Sequence, residues 1–436
     1  MSTKPSLALI PSAYKASKVY SVLPNDGTGD FDFSRATLAT RINKDGLIET
    51  VGSNVPRLNY PMIDGVVSGC PSLLLEPART NLITYSEAFD NAAWIKVPNT
   101  SISDNFAISP DGTQNSSEIK ATSTSTSVLG FYTGFTVSSG VEYTVSFFVK
   151  KGIVKYIQLY HAFSQVTGVP RTNFDLENGV VSVSDAGHTS SIEDYGNGWY
   201  RCIVKLTTAT TILQTFFNAV KSPTAPRDAS SSWSANDNFY FYGAQLEAGS
   251  YPTSYIPTSG STTTRNEETC NGAGDANTFN DSEGVLMAEI KSIANTGVSR
   301  AVYLYDESNI NDRVGIVLRG NGFITSQWSK DGETSILVDS SVLNYKSLNK
   351  VCLKYSSTNF SFFVNGFEVY SINGNYSFSN NSLDNLSFSL NGVEPIYCLT
   401  KQIQYFDTAL NNTELEYITS YRSFNEMARE LLYTIE

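Results

Sequence analysis

Short runs of alternating apolar and polar residues, separated by turn-forming residues, recur along almost the whole chain. An early example runs through residues 36–42, turns at Asn43-Lys44-Asp45-Gly46 and returns through 47–51. This predicts a β-hairpin with Gly46 at the positive-φ position. Pro56, Pro61, Pro71 and Pro77 follow, each removing a backbone donor and shortening the regular elements nearby. Segment 1–85 is therefore expected to be a loop-rich module of short strands and turns. It lacks a full core of its own and is expected to become ordered by docking on another chain.

The runs lengthen in 86–258, with strands predicted at 131–137, 143–150, 156–161, 198–206, 211–219 and 238–247. Turns such as Ser138-Ser139-Gly140 and Glu177-Asn178-Gly179 space them as in a β-sandwich. Segment 282–410 repeats the style at 284–290, 300–305, 313–318, 350–355, 359–364 and 388–390. Between the two, 259–281 is rich in Ser, Thr, Gly and Asn with few large aliphatics, and predicts an extended surface linker. The period changes in 411–436, where Asn411 with Glu414 and Ser423 with Glu426 each predict a capping box opening a short helix. Phe424, Met427, Ala428, Leu431 and Leu432 share one face of the second helix, which either packs on the preceding sandwich or serves oligomerisation. The expected class is all-β: a loop-rich N-terminal module, two β-sandwich (jelly-roll) domains and short C-terminal helices.

Composition narrows the function. Charged residues make up only 17% of the 436, and Ser, Thr, Asn, Gly, Tyr and Phe take their place, a mixture that suits pleated sheet. A net charge of −12 without a basic cluster argues against nucleic acid as a partner. Five scattered cysteines, Cys70, Cys202, Cys270, Cys352 and Cys398, form no C-x-x-C pair and read as free thiols made in a reducing cytoplasm. The apolar stretch 7–10 is interrupted by Pro11 and makes no secretory core, and no apolar run reaches bilayer-spanning length. Membrane insertion is not expected, and export would follow cell lysis.

Arg35, Arg41, Arg57 and Arg79 lie in or beside apolar runs, where a planar guanidinium holds backbone carbonyls or a carboxylate; Glu76, between Leu75 and Pro77, is a candidate buried partner. Glycan recognition needs aromatic faces and short polar side chains, and 25 Tyr, 24 Phe and 4 Trp are available. Tyr156, Tyr160 and Tyr242 are candidates, although an aromatic on a sandwich strand is more often core. Trp233 in its Ser-rich loop and Trp328 beside Gln327 are the expected exposed platforms. Asp306, Glu307, Asn309, Asn311 and Asp312 offer oxygen ligands for calcium, or are solvated turn residues; no other cofactor is expected. Two histidines, no nucleophile elbow, no metalloprotease helix and no phosphate loop leave no catalytic constellation.

Several strings are similar to a recurrent set in tailed-bacteriophage head-fibre, spike and tail-fibre subunits. They include Phe33-Ser34-Arg35-Ala36-Thr37-Leu38-Ala39-Thr40-Arg41-Ile42-Asn43, Asn54-Val55-Pro56-Arg57-Leu58-Asn59-Tyr60 and Cys70-Pro71-Ser72-Leu73-Leu74-Leu75-Glu76-Pro77-Ala78-Arg79-Thr80-Asn81-Leu82. Gly243-Ala244-Gln245-Leu246-Glu247-Ala248-Gly249 with Pro252-Thr253-Ser254-Tyr255-Ile256-Pro257-Thr258 resembles the exit of their carbohydrate-binding jelly rolls. Phe363-Val364-Asn365-Gly366 resembles a laminin-G or concanavalin-like sandwich. The resemblance implies a non-enzymatic virion appendage, made in the host bacterial cytoplasm, whose module 1–85 attaches to capsid, portal-proximal or tail proteins. It also implies a homo-oligomer, commonly a trimer, and adhesion to host-surface glycans. The alternatives are a polysaccharide-depolymerising tailspike and an architectural capsid decoration.

Overall fold

The computed structural model describes residues 4–293, 298–340, 347–393 and 395–421. The fold is all-β, with one helix among the described residues. No helix among them is long and apolar enough to cross a membrane.

The middle sandwich faces two six-stranded antiparallel sheets. One is ordered Ile95–Lys96, Leu129–Thr136, Ile212–Val220, Tyr156–His161, Arg171–Asp175, Val180–Ser184; the other Thr100–Ile108, Gln114–Ala121, Asn238–Ala248, Glu142–Lys151, Trp199–Thr207, His188–Asp194. Alternate residues turn inward: Phe147 and Val149 from one strand, Leu213 and Phe217 from another, and Phe239 and Phe241 from a third fill one aromatic-rich core. Phe217 and Phe241 meet edge to face at 5.3 Å, the geometry that ring quadrupoles favour.

The second sandwich has one sheet ordered Phe367–Asn373, Asn359–Val364, Asn349–Tyr355, Gly284–Ser292, Cys398–Phe406, Ser72–Leu75, Arg57–Asn59. Leu7–Leu9 also pairs with Cys398–Phe406. The facing sheet runs Glu333–Asp339, Ile324–Lys330, Arg313–Leu318, Arg300–Tyr305, Asn385–Ser387.

Two expectations are corrected here. Segment 1–85 is not a separate module: its strands Leu7–Leu9, Arg57–Asn59 and Ser72–Leu75 add to a sheet of the second sandwich, and Leu7, Leu9, Phe31, Phe33, Leu73 and Leu75 join that core. Segment 259–281 is not a free linker, although much of it is exposed. Thr263–Arg265 pairs with Arg79–Asn81, Thr269–Asn271 pairs with Phe31–Ser34, and Arg265, Glu268 and Cys270 are buried. Short strands that cannot bury a face alone gain it by adding to a neighbour's sheet, which is why both stretches are drawn in.

The hairpin forms as Ala39–Ile42 and Ile48–Val51, with Gly46 at φ +78°. Helix α1, Asn412–Thr419, opens with the Asn411/Glu414 capping box and packs Leu415 on the second sandwich. The second helix proposed from Ser423 and Glu426 lies outside the described residues. All five cysteines are free, four of them buried and Cys70 exposed.

Candidate functional site

The chain crossings between the two sandwiches are held by a buried ionic knot. Arg57 Nη1 donates to Glu76 Oε2 at 2.7 Å, and its Nε donates to Glu268 Oε1 at 2.8 Å. Arg35 reaches Glu268 Oε1 at 2.7 Å and also donates to the carbonyls of Thr37, Gly52 and Val55. Arg265 donates to Glu76 Oε2 at 2.6 Å and to the Pro77 carbonyl. Burial opposes the charge on Glu76, but Arg265 and Arg57 outweigh it and hold its carboxyl down at about 2. Three guanidiniums face two carboxylates. Burial lowers the pKa of Arg35 and Arg265, whereas Arg57, between both carboxylates, is raised despite its burial. Arg41 lies outside the knot and pairs with Glu49 at 2.7 Å; Arg79 stacks over Tyr251 and stands 3.9 Å from Glu247.

Next to this knot the 39–51 hairpin lies across the outer face of the middle sandwich. The Ile48 amide donates to the Pro110 carbonyl at 3.0 Å, and Ile48, Phe148, Trp199, Tyr242 and Tyr255 form a small apolar cluster beneath. A bulge sets the aromatic positions. Phe239 and Phe241 face the core, but after Gly243 the alternation slips so that Ala244 and Leu246 do. Gly243 has φ +60°, and a Cβ there would stand 2.9 Å from the Phe148 ring and 3.3 Å from Tyr255.

A polar pocket of about 340 Å³ opens at this seam, lined by Thr40, Thr50, Glu87, Asp111, Tyr242 and Tyr255 among others. Tyr242 Oη lies 3.2 Å from Glu87 Oε1 and 3.1 Å from Asp111 Oδ2, so two carboxylates converge on one hydroxyl. Tyr255 Oη donates to Glu87 Oε1 at 2.9 Å and is itself 2.7 Å from Ser86 Oγ. The two acids differ electrostatically. Burial raises the pKa of Glu87, against the hydrogen bonds from Tyr255 and Tyr242. Burial also works against the charge of Asp111, but hydrogen bonds from Thr113, Asn115 and Ser109 outweigh it and keep its carboxyl below the usual range. With Glu87 shifted up and Asp111 shifted down, Glu87 is the acid that holds a proton more readily.

Of the aromatic residues singled out in the sequence, only Tyr242 lines this pocket, and it does so with its hydroxyl rather than a ring face: it is 2% exposed. Trp233 is not an exposed platform. The Ser-rich loop becomes the strand Ser231–Trp233 paired with Ser125–Ser127, and the indole is buried with Nε1 donating to the Ser127 carbonyl at 3.0 Å. Trp328 is likewise buried, between Tyr376 and Phe378, with Nε1 on the Tyr376 carbonyl at 2.8 Å. Tyr160 is buried too: it stacks on Phe216, Arg227 covers its ring, and its hydroxyl donates to Asp228 at 2.6 Å. Tyr156 is half-buried. Both aspartates of the 306–312 loop accept from backbone amides. Asp306 Oδ1 accepts from the Ser308 and Asn309 amides, and Asp312 Oδ1 from the Asp331 amide. No group of three or more His, Cys, Asp or Glu that could hold a metal ion occurs among the described residues.

Glu87, Asp111, Tyr255, Arg265 and Glu268 were not proposed from sequence as site residues. Asp111 carried a signal, since Pro110-Asp111-Gly112 is a turn sequence whose aspartate bonds its own backbone. Tyr255 stands inside the quoted exit motif.

No protein-family model matches the chain, and no curated protein matches it. Among solved structures it is similar to the Ruminococcus gnavus IT-sialidase CBM40 bound to α2,3-sialyllactose, at 15% identity and a TM-score of 0.30, over 34% of this chain and 94% of that one. Domain 4 of the Geobacillus stearothermophilus arabinanase AbnA, with arabinotriose, gives 12% identity and a TM-score of 0.29 over 35% of this chain and 73% of that one. A Limulus polyphemus pentraxin gives 9% and 0.26 over 33% of this chain and 71% of that one.

Proposed function

We propose that this chain is an adhesive, non-enzymatic structural subunit of a tailed-bacteriophage appendage that binds host-surface glycans at the Glu87–Asp111–Tyr242–Tyr255 pocket. The observation that carries the glycan reading is the convergence of two carboxylates and two phenolic hydroxyls on one pocket walled by Thr40, Thr50 and Thr113. A sugar presents adjacent hydroxyls, each both donor and acceptor, and a wall of carboxylate acceptors and hydroxyls satisfies them in pairs. The ordered motif series in 33–82 supports the appendage assignment, a virion location and capsid or tail partners. A homotrimer would present three pockets and turn weak sugar contacts into useful avidity.

One observation favours a second reading, depolymerisation. Glu87 is pushed towards its protonated form and Asp111 towards its charged form in the same pocket, the pairing used by glycoside-cleaving acids and bases. Both readings meet in one experiment: the purified full chain and its Tyr242→Phe and Asp111→Asn variants on an array of bacterial surface glycans, with reducing sugar assayed in the same mixtures. Binding that each variant weakens by about tenfold, without sugar release, supports adhesion. Release abolished by Asp111→Asn replaces it with the enzyme. Binding indifferent to both variants removes this pocket from either account.

A further inference from the structure

Four arginines among the described residues are buried, and three of them, Arg35, Arg57 and Arg265, form the ionic knot. The fourth, Arg201, is 4% exposed and has no ion pair among the described residues. It stands on the strand Trp199–Thr207, where Nη2 donates to Ser146 Oγ at 3.0 Å and to the Thr253 carbonyl at 2.7 Å. Its guanidinium lies 5.5 Å from the Phe148 ring centroid, and its Nε has no partner. Burial opposes its charge, but Tyr195, which hydrogen-bonds it, and Glu193 and Glu247 at longer range outweigh this and raise its pKa. Glu193 is exposed, and burial raises the pKa of Glu247, whose oxygens accept from Gln245 and Thr253. A guanidinium taken out of water normally meets a carboxylate at contact distance.

Arg201 lines a cavity of about 160 Å³ beside the polar pocket, and the two share Thr40, Ile48 and Tyr255 as a common wall. Arg41 also lines it, its guanidinium paired with Glu49 at 2.7 Å. Asn59 and Tyr195 add neutral polar atoms, and Phe148 and Tyr255 add ring surface. Glu76 also lines it, but both of its oxygens are engaged, by Arg57, Arg265 and Ser254.

We propose that this cavity is a carboxylate subsite, in which Arg201 receives the carboxylate of an acidic sugar, a uronic-acid residue being the simplest. A buried guanidinium with no carboxylate at contact distance and an unpartnered Nε, beside ring surface from Phe148 and Tyr255, matches a small ligand with a planar anionic group and an apolar ring face. The assignment of the carboxylate to a sugar rests on the glycan reading; the subsite itself does not.

The test is calorimetric titration of the full-length protein with glucuronate, glucose and acetate at matched ionic strength. Glucuronate is expected to saturate and to bind at least about tenfold more tightly than glucose. Arg201→Lys, which keeps the charge and loses the planar fork, is expected to weaken glucuronate by about tenfold. If that variant fails to fold, Tyr195→Phe at the cavity wall is expected to weaken it by about threefold. Acetate equal to glucuronate overturns the sugar assignment and leaves a subsite for simple carboxylates. Neutral glycans that bind while neither glucuronate nor acetate does overturn the subsite and leave the glycan reading standing. Glucuronate binding unaltered in both variants places the anion elsewhere and overturns the assignment to Arg201.

Discussion

Acidification should loosen the middle sandwich through its two histidines, which meet between its sheets. His161, on Tyr156–His161, and His188, on His188–Asp194, have ring centroids 5.2 Å apart and nearly perpendicular. Each Nδ1 meets a threonine hydroxyl, Thr215 at 3.1 Å and Thr172 at 2.9 Å, and each Nε2 is buried without a partner. Burial pushes His188 down to about 4 from 6.5, against the pull of Asp185. His161 falls well below 6.5, first through burial and then through His188, with Arg227 adding to it. Both folded-state values are depressed, so the unfolded chain binds more protons below its own histidine pKa. Stability is fully present above about pH 6.5 and is lost as pH falls towards the folded value. For His188 alone, a drop from 6.5 to about 4 corresponds to about 3 kcal/mol, at about 1.4 kcal/mol per pK unit. Buried carboxyls with raised values, Glu87 and Glu247, act in the opposite direction over part of the same range. The clean measurement is therefore a difference: urea unfolding of the wild type and of His188→Gln at about pH 7 and about pH 4.5. The wild type should lose about 2 to 3 kcal/mol more than the variant on acidification. An equal loss in both proteins would refute the argument.

Three further outcomes follow from the packing. Glu268→Gln leaves Arg35 and Arg57 facing one carboxylate fewer in a dry site, and should cost about 3 to 5 kcal/mol in urea unfolding at neutral pH. Trp328→Ala empties the space between Tyr376 and Phe378 and should lower stability by about 3 to 5 kcal/mol, with glycan binding of the folded fraction unchanged on the array. Gly243→Ala places a methyl group against Phe148 at a left-handed backbone position; thermal melting should fall by the equivalent of about 1 to 3 kcal/mol, and glycan affinity should fall with it as Tyr242 and Tyr255 shift.

What the sequence determined by itself was local. Alternation and turn residues identified the all-β class and many strands: Tyr156–His161, Arg300–Tyr305, Arg313–Leu318 and Asn359–Val364 were legible to the residue. The Asn43–Gly46 turn and the Asn411/Glu414 cap were equally plain, because each depends on atoms a few residues apart. Thr100–Ile108 was not, since an edge, half-exposed strand carries polar residues on both faces, and Gln114–Ala121 was not, since this inner strand buries Ser116, Ser117 and Glu118; neither shows a clean period. Glu76 was legible as a candidate buried partner for an arginine because it stands between Leu75 and Pro77, yet its partners include Arg265, 189 positions away. Only the tertiary structure could decide that pairing, the burial of Trp233 and Trp328, and the meeting of Glu87, Asp111 and Tyr242. Burial and charge partnership depend on which strands become neighbours, and strand pairing across hundreds of residues is set by the joint fit of whole sheet faces, of which any one segment carries a single side.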